Sequence, residues 1–168
     1  MLLVLARDVT LGLSVLACSL SAGFFYAYSV SVIRGLAAVE PLAAVRAMQG
    51  INANIRTPVF AFAFFGALAF PALAAACAFA AGNRRAAALA LAGALVYAVG
   101  VFAVTFGVNV PLNDSLAAVG PSPTNAATVW RDYAAPWLAW NHVRTSAAVL
   151  ALGLVVAAVV ERARMGSL

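Results

Sequence analysis

Four stretches of this chain, residues 9–33, 57–82, 86–112 and 145–160, contain no Asp, Glu, Lys or Arg. An α-helix needs roughly 20 predominantly apolar residues to cross about 30 Å of hydrocarbon. The first three runs exceed that length, and the fourth reaches it when extended back to Trp137, which places Arg144 inside it. Charged residues make up 9% of the 168 residues, against about 25% in a soluble domain, so lipid is the expected solvent for most of the surface. Barrel strands would alternate apolar and polar residues, and these runs do not. The expectation is therefore an all-α chain with a single integral membrane domain over 1–168. It is a four-helix bundle with spans at about 9–33, 57–81, 86–108 and 137–160. The net charge of +5 includes no Lys and no basic run longer than Arg84-Arg85, so nucleic acid is not an expected partner and the bilayer is.

Arg7 ahead of the first run and Leu16-Ala17-Cys18 within it resemble a secretory signal. The apolar region continues to Ile33, however, well past the 7 to 15 residues typical of a signal, so a span is expected. Cys18 and Cys77 fall inside oppositely running spans and read as small packing residues. The short Gly82-Asn83-Arg84-Arg85 turn and the Glu161 to Arg164 tail share a side with Arg7. The positive-inside tendency puts that side, and both termini, in the cytoplasm. A quarter of the chain is Ala and Arg replaces Lys entirely, which suggests a GC-rich bacterial genome and a cytoplasmic (inner) membrane.

The other side carries nearly all the polar chemistry. Residues 40–56 read as an extra amphipathic helix in the first outer connection, opened by Glu40-Pro41 and ended by Thr57-Pro58. Gln49, Asn52 and Arg56 share one face of it, as a surface helix or as a lid carrying polar groups to a site. The third span ends in Asn109-Val110-Pro111-Leu112-Asn113, where Pro111 should kink the helix and free backbone groups for the two asparagines. The second outer connection is then expected to be only partly helical, with a Gly120-Pro121-Ser122-Pro123 loop. Gly93, Gly100 and Gly107, spaced by seven on the third span, suggest close helix approach.

Trp137, Trp140, Asn141 and Arg144 are spaced to share one face of the fourth span. The indoles read as interfacial anchors or as walls of a site. Arg144 lies about 10 Å along the helix from Trp137, where a charge must snorkel, pair or bind something. One reading clamps it to Asp114, Asp132 or Glu40; the other gives it an anionic or enolate-like ligand. His142 is the only histidine, so one chain cannot assemble a multi-His metal site or a di-iron bundle. A metal shared between subunits through His142 stays compatible with the sequence, as does a homo-oligomer. Histidine is also the residue type best suited to proton transfer near neutrality. Tyr26 and Tyr28 could line a cavity at the same end.

Four blocks, Ala22 to Ser29, Ala47 to Asn52, Thr105 to Asp114 and Trp137 to Thr145, resemble those of the anthrone oxygenase-like family of small bacterial membrane proteins. The Asn-Val-Pro-Leu-Asn and Trp-Asn-His-Val-Arg blocks are the specific ones. The resemblance implies a four-helix membrane protein, some of whose relatives oxidise anthrones to anthraquinones with molecular oxygen. Such a reaction needs an apolar pocket for a flat, lipophilic aromatic molecule, a base, and donors for a phenolate or enolate. On this reading His142 is the base and Arg144 and Asn141 complete the catalytic group. Asn109, Asn113, Arg56, Asn52 and Gln49 bind substrate, Trp140 and Tyr26 wall the ring, and no metal or cofactor is required beyond oxygen as co-substrate. The alternative is a non-catalytic membrane binding or assembly protein whose polar cluster only closes the bundle.

Overall fold

The arrest and restart of helices in this chain follow short polar signals between long apolar runs. A computed structural model describes residues 1–120, 122 and 124–165. Among them are five helices: α1 (Leu2–Ala37), α2 (Pro41–Asn54), α3 (Pro58–Ala80), α4 (Arg84–Ala118) and α5 (Ala126–Met165). All but α2 are long and apolar enough to cross a membrane, so the chain is an all-α, multi-pass membrane bundle. Around the bundle the order of neighbours is α1, α3, α4, α5 and back to α1.

The caps fall where the sequence places them. Glu40 accepts a hydrogen bond from the Ala43 N–H ahead of α2, Thr57 accepts from the Phe60 N–H ahead of α3, and Asn83 accepts from the Ala86 N–H ahead of α4. At the α3–α4 turn Gly82 adopts φ +79°, the left-handed conformation that glycine enters without strain. This lets Gly82 and Asn83 donate to the Phe79 and Ala78 carbonyls and close the helix end.

Three packed layers run along the bundle. Alanines of α3, α4 and α5 with Leu11 fill the end nearest that turn. Phe25, Phe64, Tyr97, Val101 and Val155 fill the middle. Tyr28, Val45, Met48, Leu116, Trp130, Tyr133 and Trp137 form a cap under α2. A Cβ at Gly100 would overlap the Ala147 methyl, and one at Gly93 would lie 3.2 Å from the Ala151 carbonyl oxygen, so these two glycines do set the α4–α5 approach. Gly107 faces open space and has no such role. At the turn end Asp8 binds both Arg7 and Arg162, tying α1 to α5. Cys18 and Cys77 are free thiols.

Helices α1, α4 and α5 overrun the expected spans. At about 1.5 Å per residue, α4 and α5 are near 50–60 Å long, well beyond the hydrocarbon, and their excess builds the cap. The third span is expected to end near residue 108, with a kink at Pro111, but helix α4 runs on through Pro111 to Ala118. The physical reason is a π-helical turn at Thr105–Asn109 directly before it. A π turn has already displaced the regular hydrogen-bond ladder, so a residue lacking an N–H is accommodated there. Similar turns occur at Tyr28–Val32 in α1 and Ala98–Ala103 in α4. The second connection is correspondingly short, and Pro121 and Pro123 of its expected loop lie outside the described residues.

Candidate functional site

Two of the three π turns contribute to one site: Tyr28 of the α1 turn and Thr105 and Phe106 of the second α4 turn share a lining. Beside them lies a cavity of about 540 Å³, within the range of sites for drug-sized ligands. Its walls are aromatic: Phe24, Phe25, Phe60, Phe64, Phe65, Phe106 and Trp137. Tyr28, Asn52, Arg56, Thr57, Thr105, Asn113 and Arg144 supply the polar lining, and no acidic residue lines it.

Arg144 forms the inner end. It is 5% exposed and makes no ion pair among the described residues, so the reading that clamps it to Asp114, Asp132 or Glu40 does not hold. Its Nη2 donates to Asn141 Oδ1 at 2.8 Å and its Nη1 to Thr105 Oγ1 at 3.3 Å, while Nε has no partner among the described residues. The guanidinium carbon sits 4.6 Å from the centre of the Phe25 ring and 5.0 Å from that of Trp137. Flat, weakly hydrated and polarisable, guanidinium tolerates such a site better than ammonium would. An unpaired buried charge is nevertheless costly. Arg7 shows the contrast, since it is also buried but has Asp8 at 2.9 Å.

The expected site residues separate into three groups. Arg144, Asn113, Asn52 and Arg56 do meet at the cavity. Asn113 Oδ1 accepts from Tyr133 Oη and Trp137 Nε1, both at 2.8 Å, which fixes the Trp137 indole as a wall. Asn52 Nδ2 donates to Tyr133 Oη at 3.4 Å.

Asn141, Asn109 and Gln49 are brought to the same end but hold backbone instead of lining the cavity. Asn141 Nδ2 donates to the Phe25 carbonyl and to Ser29 Oγ, beside the α1 π turn. Asn109 Nδ2 donates to the Trp137 carbonyl, and its buried Oδ1 has no partner among the described residues. Gln49 Nε2 donates to the Leu116 and Val119 carbonyls at the end of α4, pinning α2 over the bundle.

His142, Trp140 and Tyr26 do not join the site. His142 is exposed in a shallow apolar groove between α4 and α5, with Leu95, Val99, Gly100 and Ser146. Residues two apart on a helix point in nearly opposite directions, so His142 cannot share a face with Arg144. Trp140 and Tyr26 are 42% and 56% exposed on outer surfaces, and neither lines the cavity. The residues that take their place, Thr105, Phe25 and Phe64, carry little signal in a chain with ten phenylalanines. Only Thr105, one turn before Asn109, sits within a polar spacing that could have drawn notice.

A family model described as Anthrone oxygenase matches residues 59–154, more than half of the chain. The chain belongs to the anthrone oxygenase family. Neither a curated protein nor a solved structure matches it. Within the part matched to the anthrone oxygenase model fall Phe64, Thr105, Asn113, Trp137 and Arg144, which line the cavity. Phe25, Tyr28, Asn52 and Arg56, which complete it, precede the matched part.

Proposed function

We propose that this protein is a membrane oxygenase whose cavity binds a lipophilic anthrone or related phenol as its anion and exposes it to molecular oxygen. The observation that carries this reading is Arg144: a buried cation without a carboxylate, set against two aromatic faces in a cavity walled by rings. An enolate or phenolate oxygen against the part of the Arg144 guanidinium that lines the cavity would supply the missing counter-charge, and in low dielectric that interaction is far stronger than in water. The reaction in view converts a ring CH₂ to C=O: one oxygen atom enters the product and the other leaves as water, with the electrons coming from the enolate itself. The cavity lining includes no Asp, Glu, His or Lys. The ring proton therefore passes to water at the mouth, drawn off because Arg144 stabilises the anion left behind. Cofactor-free turnover and oxygen as co-substrate are part of this proposal.

The test is oxygen uptake by purified protein in detergent with dithranol. The expected result is one oxygen consumed per anthrone with formation of the quinone; uptake no faster than in a protein-free micelle control would overturn the reading. One observation favours the alternative of a non-catalytic binding or assembly protein. Gln49, Asn109 and Asn141 satisfy backbone groups, so part of the polar cluster is structural. Saturable ligand binding without turnover would support that alternative.

A further inference from the structure

The same cavity has a second cation at its outer end. Arg56 lies in the break between α2 and α3, lines the cavity and is exposed. It makes no hydrogen bond or ion pair among the described residues. Thr57 and Pro58 follow it in the lining, so the amino-terminal end of the 23-residue helix α3 opens onto the same mouth. Pro58 has no N–H, and the Phe60 N–H is taken by Thr57 Oγ1. The aligned dipoles of the helix still add positive potential there. At the inner end Arg144, 95% buried, lining the cavity and without an ion-pair partner among the described residues, marks the cavity independently as a place for an anion. Two guanidiniums and no carboxylate thus bound one aromatic slot.

We propose that the ligand is a fused-ring aromatic acid, held at its reacting oxygen by Arg144 and at a carboxylate on its far end by Arg56. This deepens the oxygenase reading and rests on it for the nature of the ring system. A carboxylate fits because a guanidinium receives it as a two-pronged fork. Arg56, being exposed, acts on ligand choice and on attraction to the mouth and not on the chemical step. An acid also explains how a molecule can reach a lipid-level cavity from the aqueous edge: its ring enters the slot while its charge stays with Arg56 at the rim. Neutral rings gain only from the walls and from Arg144.

The experiment compares anthraquinone-2-carboxylate with anthraquinone, neither of which turns over, by quenching of tryptophan fluorescence in neutral detergent. Trp137 lines the cavity and reports occupancy. The wild-type protein should bind the acid about tenfold more tightly, the size of one charge-assisted hydrogen-bonded contact, and that preference should shrink with added salt. Arg56→Gln should lose the preference and Arg56→Lys should keep part of it. Arg46→Gln, on the exposed face of α2 outside the cavity, should retain it in full and so controls for net charge. Equal affinities in the wild type, or an undiminished preference in Arg56→Gln, would overturn the proposal. A preference that depends on Arg56 alongside absent oxygen uptake would sink the oxygenase reading alone. Uptake with a preference indifferent to Arg56 would sink this one alone.

Discussion

Replacing Arg144 by Met separates a ligand-binding cation from a structural one. In the unliganded protein the opposing terms are of similar size. Burial of the ion costs several kcal/mol, while its hydrogen bonds to Thr105 and Asn141 contribute about 1.5–3 kcal/mol each. Its contacts with the Phe25 and Trp137 rings add about 1–2 kcal/mol each. Met fills much of the same volume without the charge, so the apo stability of Arg144→Met should lie within about 2 kcal/mol of the wild type. The liganded protein should behave differently. At a ligand concentration of about 100 Kd the wild type gains about 2.7 kcal/mol of stability. Losing a donor aimed at an oxyanion costs on the order of a hundredfold, so at the same concentration Arg144→Met should gain only about 0.4 kcal/mol. Thermal unfolding in detergent, with and without an anthraquinone carrying ionisable phenol groups, reads both numbers. Equal ligand-induced stabilisation in the two proteins would refute the anion-site argument. So would an Arg144→Met chain that fails to fold without ligand while Arg144→Lys folds normally.

Two further outcomes follow from the placement of the polar residues. His142→Ala should leave oxygen uptake within about twofold of the wild type, whereas a general base at that position would cost about a hundredfold or more; a loss of that size would overturn the placement of the imidazole in the α4–α5 groove. Gln49→Ala removes two bonds to the end of α4 and should loosen α2 by about 1–3 kcal/mol. That loosening should be visible as faster amide exchange over residues 41–54 with α3 unaffected; uniform acceleration across the bundle would show that α2 is not a separable lid.

Much of this architecture is legible from the chain because its causes are local. An uncharged run long enough to span lipid must be helical, since no other partner is present for its backbone groups. Glu40, Thr57 and Asn83 cap the helices that follow them by reaching their own neighbours. The crowding of amides and guanidiniums at one end of the bundle is likewise a property of order along the chain. The extent of α4 was not legible, because a proline ordinarily interrupts a helix, whereas here a π turn directly precedes Pro111 and the helix runs on.

Which polar groups turn inward is a different kind of fact. Trp137, Asn141 and Arg144 face the bundle while Trp140 and His142 face out, and that rotation of α5 is set by its packing against α1 and α4. The helical repeat alone could have warned that His142 and Arg144 point apart, but it could not say which of them the core would take. Nor could sequence decide whether Arg144 has a counter-charge, because Asp114, Asp132 and Glu40 all fall at the same end of the bundle and any of them could have supplied one. The folded bundle spends its carboxylates elsewhere or leaves them at the surface, and surrounds Arg144 with rings. Local order along the chain determined a membrane bundle with a polar end; tertiary packing made part of that end a cavity with an unpaired cation inside it.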